Sequence, residues 1–439
     1  MSSIDNIPVE ILGYIFYSLV PHRSLDDPQR DIDPQYWSLS YNTITCLRLV
    51  SRHWNQVILS DSWFWSDIAI RVDLHDDPHY PYEPPLDVLQ MWIDRSEGAP
   101  LHIMLELPEC FGLTPRGSQG PSHHMRDEFD AREYLWEIIP LLMNCSTQWR
   151  GLSVTATVDA LTTIFSLLDQ VPQLQMVDLC ILYDSDHDNL KGFKQLAPML
   201  EKITFLKLLS IPGVNPVSEA HDYIYLDIPP RTLSRITELE LGEAIRRPIL
   251  LSVLRECSAL RWTDVNSGWP VEDTTLPVQR FQLPYLETLI LGLDGNIHQF
   301  FDFIELPNLS VLQVSTLYPG IDASTAMLSH IFPRVSHPLQ IFIWNTLPLE
   351  VLEAFLLGDD MRLFAIPVFH AGYTRAAAPE EAEATTENAR ATLAHLFPNK
   401  NFAFTKDSHS FGWVDWDVYR QWGHTLPYYP RSNVVRCFQ

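Results

Sequence analysis

The stretch Leu286-Glu287-Thr288-Leu289-Ile290-Leu291 decides how most of this chain folds. It places apolar residues three and five positions after a first apolar residue, which we call the anchor. Alternate residues of a strand point to one face, so the second and third apolar residues predict a buried strand face. The same spacing recurs at Trp149/Leu152/Val154, Leu174/Val177/Leu179, Ile203/Leu206/Leu208, Ile236/Leu239/Leu241, Leu309/Leu312/Val314 and Leu339/Phe342/Trp344, and more weakly at Leu260/Thr263/Val265.

The anchors recur at intervals between 23 residues (286 to 309) and 33 residues (203 to 236). Helix-like stretches lie between them, at 158–171, 193–200, 247–257, 297–305, 323–332 and 349–357. A strand and a helix repeated at about 20–30 residues are typical of stacked units that bury their apolar faces against one another. With a further strand at 101–107, the sequence predicts an α/β repeat body over residues 101–366.

This body resembles the leucine-rich repeat family, which implies a strand/helix solenoid. The family places Asn or Cys eight positions after the anchor, whereas this chain has residues such as Thr157, Leu182 and Asp294 there. The repeats are therefore irregular. The alternative is an open α/β sheet with helices on both faces, whose strands would be apolar throughout. Polar residues inside several predicted strands favour the solenoid.

The first 70 residues predict a small three-helix unit. Residues 7–20 form the first helix, with Pro8 in a first turn that needs no N–H from it. Residues 43–50 form the second, and Ser51 is positioned to cap the third, over 51–59. Residues 21–42 alternate Pro with Asp and predict a polar loop between the first two helices.

These helices resemble the F-box. Ile7-Pro8-Val9-Glu10-Ile11-Leu12 is similar to its Leu-Pro-x-Glu-[Ile/Leu]-Leu opening. Leu47-Arg48-Leu49-Val50-Ser51-Arg52-His53-Trp54-Asn55 is similar to its second half, and Trp63-Phe64-Trp65 to its closing Leu-Trp. The resemblance implies docking onto the Skp-family adaptor of a cullin ubiquitin ligase. The residues it implies for adaptor binding are Ile7, Pro8, Ile11, Leu12, Ile15, Leu47, Val50 and Trp54.

The predicted organisation has four segments. An F-box-like helical domain over 1–70, with its inserted loop at 21–42, precedes a linker and helix over 71–100. The repeat body over 101–366 precedes a C-terminal cap over 367–439, which contains an acidic helix-like stretch and the aromatic-rich residues 402–422. The family's link between the F-box halves is short, so the long loop leaves open whether an adaptor docks.

Composition and motifs exclude several function classes. The formal charge of −25 disfavours nucleic acid and anionic membrane surfaces and favours a basic protein substrate. We expect an intracellular protein, cytoplasmic or nuclear, because the chain starts without a secretory signal and its six cysteines form no close pair. Residues 184–189 resemble the start of a calcium loop but lack its Gly and Glu. We therefore expect no metal, no cofactor and no catalytic residue.

The predicted binding surface is the strand face opposite the buried one. In a solenoid the residues two, four and six positions after each anchor line the inner curve. The candidate substrate-binding residues are Asp178, Lys207, Glu238, Glu240, Trp262, Asp264 and Asn266. The sequence thus predicts a substrate-recognition subunit of a Skp–cullin–F-box-type ubiquitin ligase. The alternatives are an interaction scaffold outside ubiquitin transfer and an enzyme whose site joins distant residues.

Overall fold

The computed structural model of this chain shows a mixed α/β protein with mostly parallel strands. The chain forms two compact units, Met1–Ala220 and His221–Gln439. The structure describes residues 7–19, 35–72, 82–107, 136–157, 160–161, 171, 173–182, 203–211, 228–241, 247–267, 279–293, 298–316, 335, 338–348, 366–374, 403–405 and 410–413. The predicted helices at 193–200, 323–332, 349–357, nearly all of that at 158–171, the predicted loop at 184–189 and most of the cap lie outside these ranges.

Four helices open the first unit: α1 (Val9–Leu19), α2 (Gln35–Val50), α3 (Arg52–Ser60) and, after a 3₁₀ helix at Ser62–Trp65, α4 (Leu86–Ser96). The predicted cap is confirmed, because the Ser51 Oγ accepts a hydrogen bond from the Trp54 N–H at 3.1 Å. The loop predicted over 21–42 is wrong over its last eight residues. Residues 35–42 contain no proline, so α2 extends through them.

In its described residues the first unit continues as a sheet of six strands. They are β1 (Asp67–Val72), β2 (Tyr82–Glu83), β3 (Leu101–Glu106), β4 (Trp149–Thr157), β5 (Met176–Leu182) and β6 (Phe205–Ile211), in the order β2-β1-β3-β4-β5-β6. All neighbours pair in parallel except β1 and β2. β1 crosses the domain boundary predicted at residue 70, so the helical segment runs directly into the sheet.

The second unit begins with α5 (Pro230–Leu233), β7 (Glu238–Leu241), α6 (Arg247–Glu256), β8 (Trp262–Ser267), β9 (Phe281–Gln282), β10 (Thr288–Leu293) and α7 (His298–Phe301). It continues with β11 (Ile304–Glu305), β12 (Val311–Thr316), β13 (Ile341–Pro348), β14 (Val368–Thr374), β15 (Ala403–Thr405) and β16 (Ser410–Trp413). Strands β7, β8, β10, β12, β13 and β14 pair in parallel in that order, and β16 and β15 complete the edge antiparallel. β9 pairs separately with β11, so the helix predicted over 297–305 is wrong at its end.

All eight predicted anchors are buried, and each lies at or just before the start of a strand that pairs in parallel. A further unit was missed. Ile366 is buried before β14, and Phe369 occupies the second apolar position, but Ala371 stands at the third. Alanine weakens the apolar pattern there, so the boundary predicted at 366 falls in front of a strand that continues the parallel order.

Candidate functional site

Helix α1 carries apolar side chains around nearly its whole circumference. Its buried residues are Leu12 and Phe16, whereas Ile11 is 53% and Tyr14 82% exposed. A helix that is apolar on all sides is normally covered on all sides. The exposed apolar residues, which we call the α1 surface, are Val9, Ile11, Tyr14, Ile15, Tyr17 and Leu19. Leu49 and Val50, at the end of α2, are exposed as well.

A buried cluster holds α1 in place. Phe16 packs against Trp54, with ring centroids 4.5 Å apart. The Trp65 indole N–H donates to the carbonyl of Ile58 at 3.1 Å, which ties the 3₁₀ helix to α3. The helix predicted within 71–100 is confirmed as α4, and its Trp92 packs on the same cluster. The buried members are Leu12, Phe16, Ile44, Leu47, Val57, Ile58, Phe64 and Trp65.

The eight predicted adaptor-binding residues divide into two groups. Pro8, Ile11, Ile15 and Val50 are exposed. Leu12 and Leu47 are buried in the cluster, and Ile7 and Trp54 are partly buried against it. Burial removes Leu12 and Leu47 from any surface that a partner can touch. These two residues therefore hold the helices together, and the exposed four remain as predicted contacts.

The predicted substrate surface is not open at its centre. The register of β7 against β8 places Glu240 beside Asp264 and Glu238 beside Trp262. These residues therefore share one face, as predicted. However, Glu240 and Asp264 are only 4% and 6% exposed, and Trp262 is buried. Further along the same face, Val311, Ile341 and Ile343 are also buried. The expectation of an exposed inner face is wrong at these positions.

The remaining predicted substrate contacts have different surroundings. Asp178 on β5 and Glu238 on β7 are half-buried. Lys207 is the register partner of Asp178 in the first unit, and Asn266 lies on β8 in the second. The side chains of Lys207 and Asn266 lie outside the described part of the structure. A role for all four in substrate binding stays a prediction.

A polar network crosses four strands of the first unit, and sequence reasoning missed most of it. His102 on β3 is 2% exposed, and its Nε2 lies 3.1 Å from the Ser153 Oγ. Its Nδ1 lies 3.7 Å from the Asp67 Oδ1, and the Ser153 hydroxyl donates to the Asp178 Oδ2 at 3.5 Å. Gly151 makes room for the imidazole, because a Cβ there would lie 2.6 Å from the His102 Cδ2.

The carboxylate–imidazole–hydroxyl order of this network is that of a nucleophilic relay. Acyl transfer also needs N–H donors aimed at a developing oxyanion. β4 pairs with strands on both edges, so its backbone N–H groups are used in the sheet around Ser153. Ser153 is also almost fully buried. The arrangement therefore fits a structural network that fixes β1, β3, β4 and β5 in register better than a catalytic site.

In the ranges given above, no helix combines the length and hydropathy needed to cross a bilayer. Across the same ranges, His, Cys, Asp and Glu form no group of three or more that could hold a metal ion.

No protein-family model matches this chain, and no curated protein matches it. Its function therefore has to be inferred from the sequence pattern and the geometry described above.

Proposed function

We propose that this chain is the substrate-receptor subunit of a Skp–cullin–F-box-type ubiquitin ligase. The α1 surface carries the proposal. Six large apolar residues on one helix remain in contact with water, although each would be stabilised by burial in proportion to the area covered. In this proposal the Skp-family adaptor covers Ile11 and Ile15, and the cullin scaffold joins through the adaptor.

The sequence order around the cluster supports the same assignment. The F-box-like motifs fall on α1, on the end of α2 and on α3. The motif residues Leu12, Leu47 and Trp54 meet in or against one cluster, although Leu12 and Leu47 lie 35 residues apart in the chain. Because α2 starts at Gln35, the connection from α1 is shorter than the loop predicted over 21–42. This weakens the argument that a long insertion blocks docking.

Repeated backbone hydrogen bonds support a leucine-rich-repeat-like solenoid for the second unit. The carbonyl of Thr237, one position after its anchor, accepts from the N–H groups of Arg261 and Trp262 at 2.7 and 3.1 Å. The same two-donor arrangement recurs one unit further at each step. The carbonyl of Arg261 accepts from the N–H groups of Glu287 and Thr288. The carbonyl of Glu287 accepts from Ser310 and Val311, and that of Ser310 accepts from Gln340 and Ile341. Equivalent positions in successive units thus have equivalent bonds, as stacked repeats require.

In this role the chain performs no chemistry. It binds a substrate and the adaptor at once, which raises the effective concentration of substrate lysines near the charged conjugating enzyme. The charge of −25 favours a basic protein as the substrate, in the cytosol or the nucleus. The buried Glu240 and Asp264 do not offer an open surface to it. Substrate contacts on the body therefore require exposed positions outside that part of the strand face.

The test measures binding of the purified full chain to a Skp-family adaptor. The parent should bind, and the variant Ile11→Asp/Ile15→Asp should lose binding while staying folded, because both side chains are exposed. Tyr285→Asp is the matched control, since Tyr285 is equally exposed but lies in the second unit. If the folded parent does not bind any Skp-family adaptor, the ligase role is wrong, and a scaffold outside ubiquitin transfer becomes the better assignment.

A further inference from the structure

Two guanidinium groups lie over the buried ring of Trp65. Arg48, in the last turn of α2, has its Cζ 5.9 Å from the ring centroid. Arg95, in the last turn of α4, has its Cζ 4.8 Å from the same centroid. We call Arg48 and Arg95 the arginine pair. Two elements that are separate in the chain thus bring two positive charges to one place.

The arginine pair has no carboxylate to balance it in the described part of the chain. Burial, and then the charge of Arg48, lower the pKa of Arg95. Two described arginines lie near carboxylates: Arg71 is 3.6 Å from Glu106, and Arg255 is 3.5 Å from Glu256. The chain has 55 acidic and 30 basic residues, so carboxylates are in excess. An unbalanced arginine pair is therefore unexpected on composition.

The hydrogen bonds of the pair are also incomplete. The Arg48 Nε donates to the Asn55 Oδ1 at 2.9 Å, which fixes that guanidinium beside α3. The Arg95 Nη1 is shielded from solvent and has no acceptor among the described residues. A guanidinium has five N–H donors in a rigid plane, and a shielded donor without an acceptor is costly. An attraction to the Trp65 ring explains one cation there, but a second cation adds repulsion.

We propose that the arginine pair binds a phosphoryl group, either free phosphate or a phosphorylated side chain. A phosphoryl group carries close to two negative charges at neutral pH and presents oxygens that match the guanidinium fork. Its charge matches that of two arginines, whereas a single carboxylate matches one. The site shares no residue with the α1 surface, so the proposal holds whether or not an adaptor docks on the α1 surface.

The test titrates the folded full chain with inorganic phosphate and follows its thermal unfolding, with chloride at equal ionic strength as the reference. A ligand that binds the folded chain raises the unfolding temperature in a saturable way. The parent should respond to phosphate beyond chloride. Arg95→Gln should raise the half-saturating phosphate concentration about tenfold or more. Arg255→Gln is the matched control and should respond like the parent, because it removes an arginine that already has a carboxylate.

Two further measurements keep the test decisive. Arg95→Lys keeps the positive charge but loses the planar fork, so it should weaken phosphate binding even if Arg95→Gln does not fold. O-Phosphoserine with blocked termini separates the two sources. Binding of both compounds assigns the site to phosphorylated side chains, and binding of phosphate alone assigns it to the free anion. The proposal is overturned if the parent responds to phosphate as it does to chloride, or if both Arg95 variants bind as the parent does.

Discussion

Helix α1 and the sheet of the first unit place their residues in opposite ways. On α1, Ile11, Tyr14 and Ile15 are exposed although they are apolar. On the sheet, His102 and Ser153 are buried although they are polar. The buried cluster covers only the side of α1 that carries Leu12 and Phe16. The apolar residues on its other sides therefore remain exposed to water. The sheet buries polar residues because they satisfy one another across neighbouring strands.

The contrast shows what the spacing of apolar residues can predict about burial and what it cannot. A period of two or of 3.6 residues shows which side chains share a face. It does not show what covers that face. For α1 the cover is missing from the chain's described part, which is why a partner is proposed. For the strand face the residues Glu240 and Asp264 were expected to be exposed, and instead they are buried.

The largest expected effect distinguishes the buried apolar residues of α1 from the exposed ones. Phe16 is 0% exposed and packs on Trp54, so Phe16→Ala should lower the free energy of unfolding by about 3–5 kcal/mol. Tyr14→Ala, two residues earlier, should change it by no more than about 0.5 kcal/mol. Urea unfolding of both variants measures the difference. Equal losses would show that α1 is covered on both sides in solution.

The next effect tests whether the sheet needs space for its buried histidine. A Cβ at position 151 would lie 2.6 Å from the His102 Cδ2 and 2.7 Å from the Met176 Cε. Gly151→Ala should therefore cost about 1–3 kcal/mol of stability, measured by chemical denaturation. Gly13→Ala in α1 is the matched control. Its Cβ meets the nearest atom at 3.8 Å, so this change should stabilise the helix by about 0.5–1 kcal/mol.

A third prediction concerns the buried thiol of Cys257. Burial, and secondarily the charge of Glu256, raise the pKa of Cys257 to about 12, against 9.0 for an ordinary thiol. The contribution of the buried Cys257 thiol to the free energy of unfolding is fully present below pH 9.0. Between pH 9.0 and about 12 only the unfolded chain releases this proton, so stability should fall by about 1.4 kcal/mol per pH unit.

The measurement for Cys257 is the free energy of unfolding at several alkaline pH values. Cys257→Ala should flatten the decline relative to the parent. If the free energy of unfolding falls as steeply in Cys257→Ala as in the parent, other groups cause the decline. The folded chain then does not protect the Cys257 thiol from ionisation.

Much of the fold could be predicted because the strands have a local signature. An anchor such as Leu286 and the residues three and five positions later suffice to place a strand, and the confirmed Ser51 cap is equally local. β1 was missed because Trp65 and the residues after it were assigned to the helical motif. β14 was missed because Ala371 breaks the apolar pattern. The second error comes from a signal that is spread over only three positions.

The polar network and the arginine pair could not be predicted, because their members are far apart in the chain. Ser153 lies 51 residues after His102, and only the parallel register brings them together. Arg95 lies over the same Trp65 ring as Arg48 because α4 packs on the cluster through Trp92. The one available signal was a polar residue inside an apolar strand, such as His102 between Leu101 and Ile103.

The smallest expected effect is the sharpest test of the contrast, since it uses neighbouring residues. Ile11 is 53% exposed and Leu12 is 1% exposed. Ile11→Gln keeps a helix-forming residue and removes little buried area, so it should change the free energy of unfolding by at most about 0.5 kcal/mol. Leu12→Gln buries an unsatisfied amide and should cost about 2–5 kcal/mol. Parallel urea titrations measure both. A cost for Ile11→Gln as large as that for Leu12→Gln would mean that α1 buries Ile11 within the chain itself, and the α1 surface would then have no place for a partner.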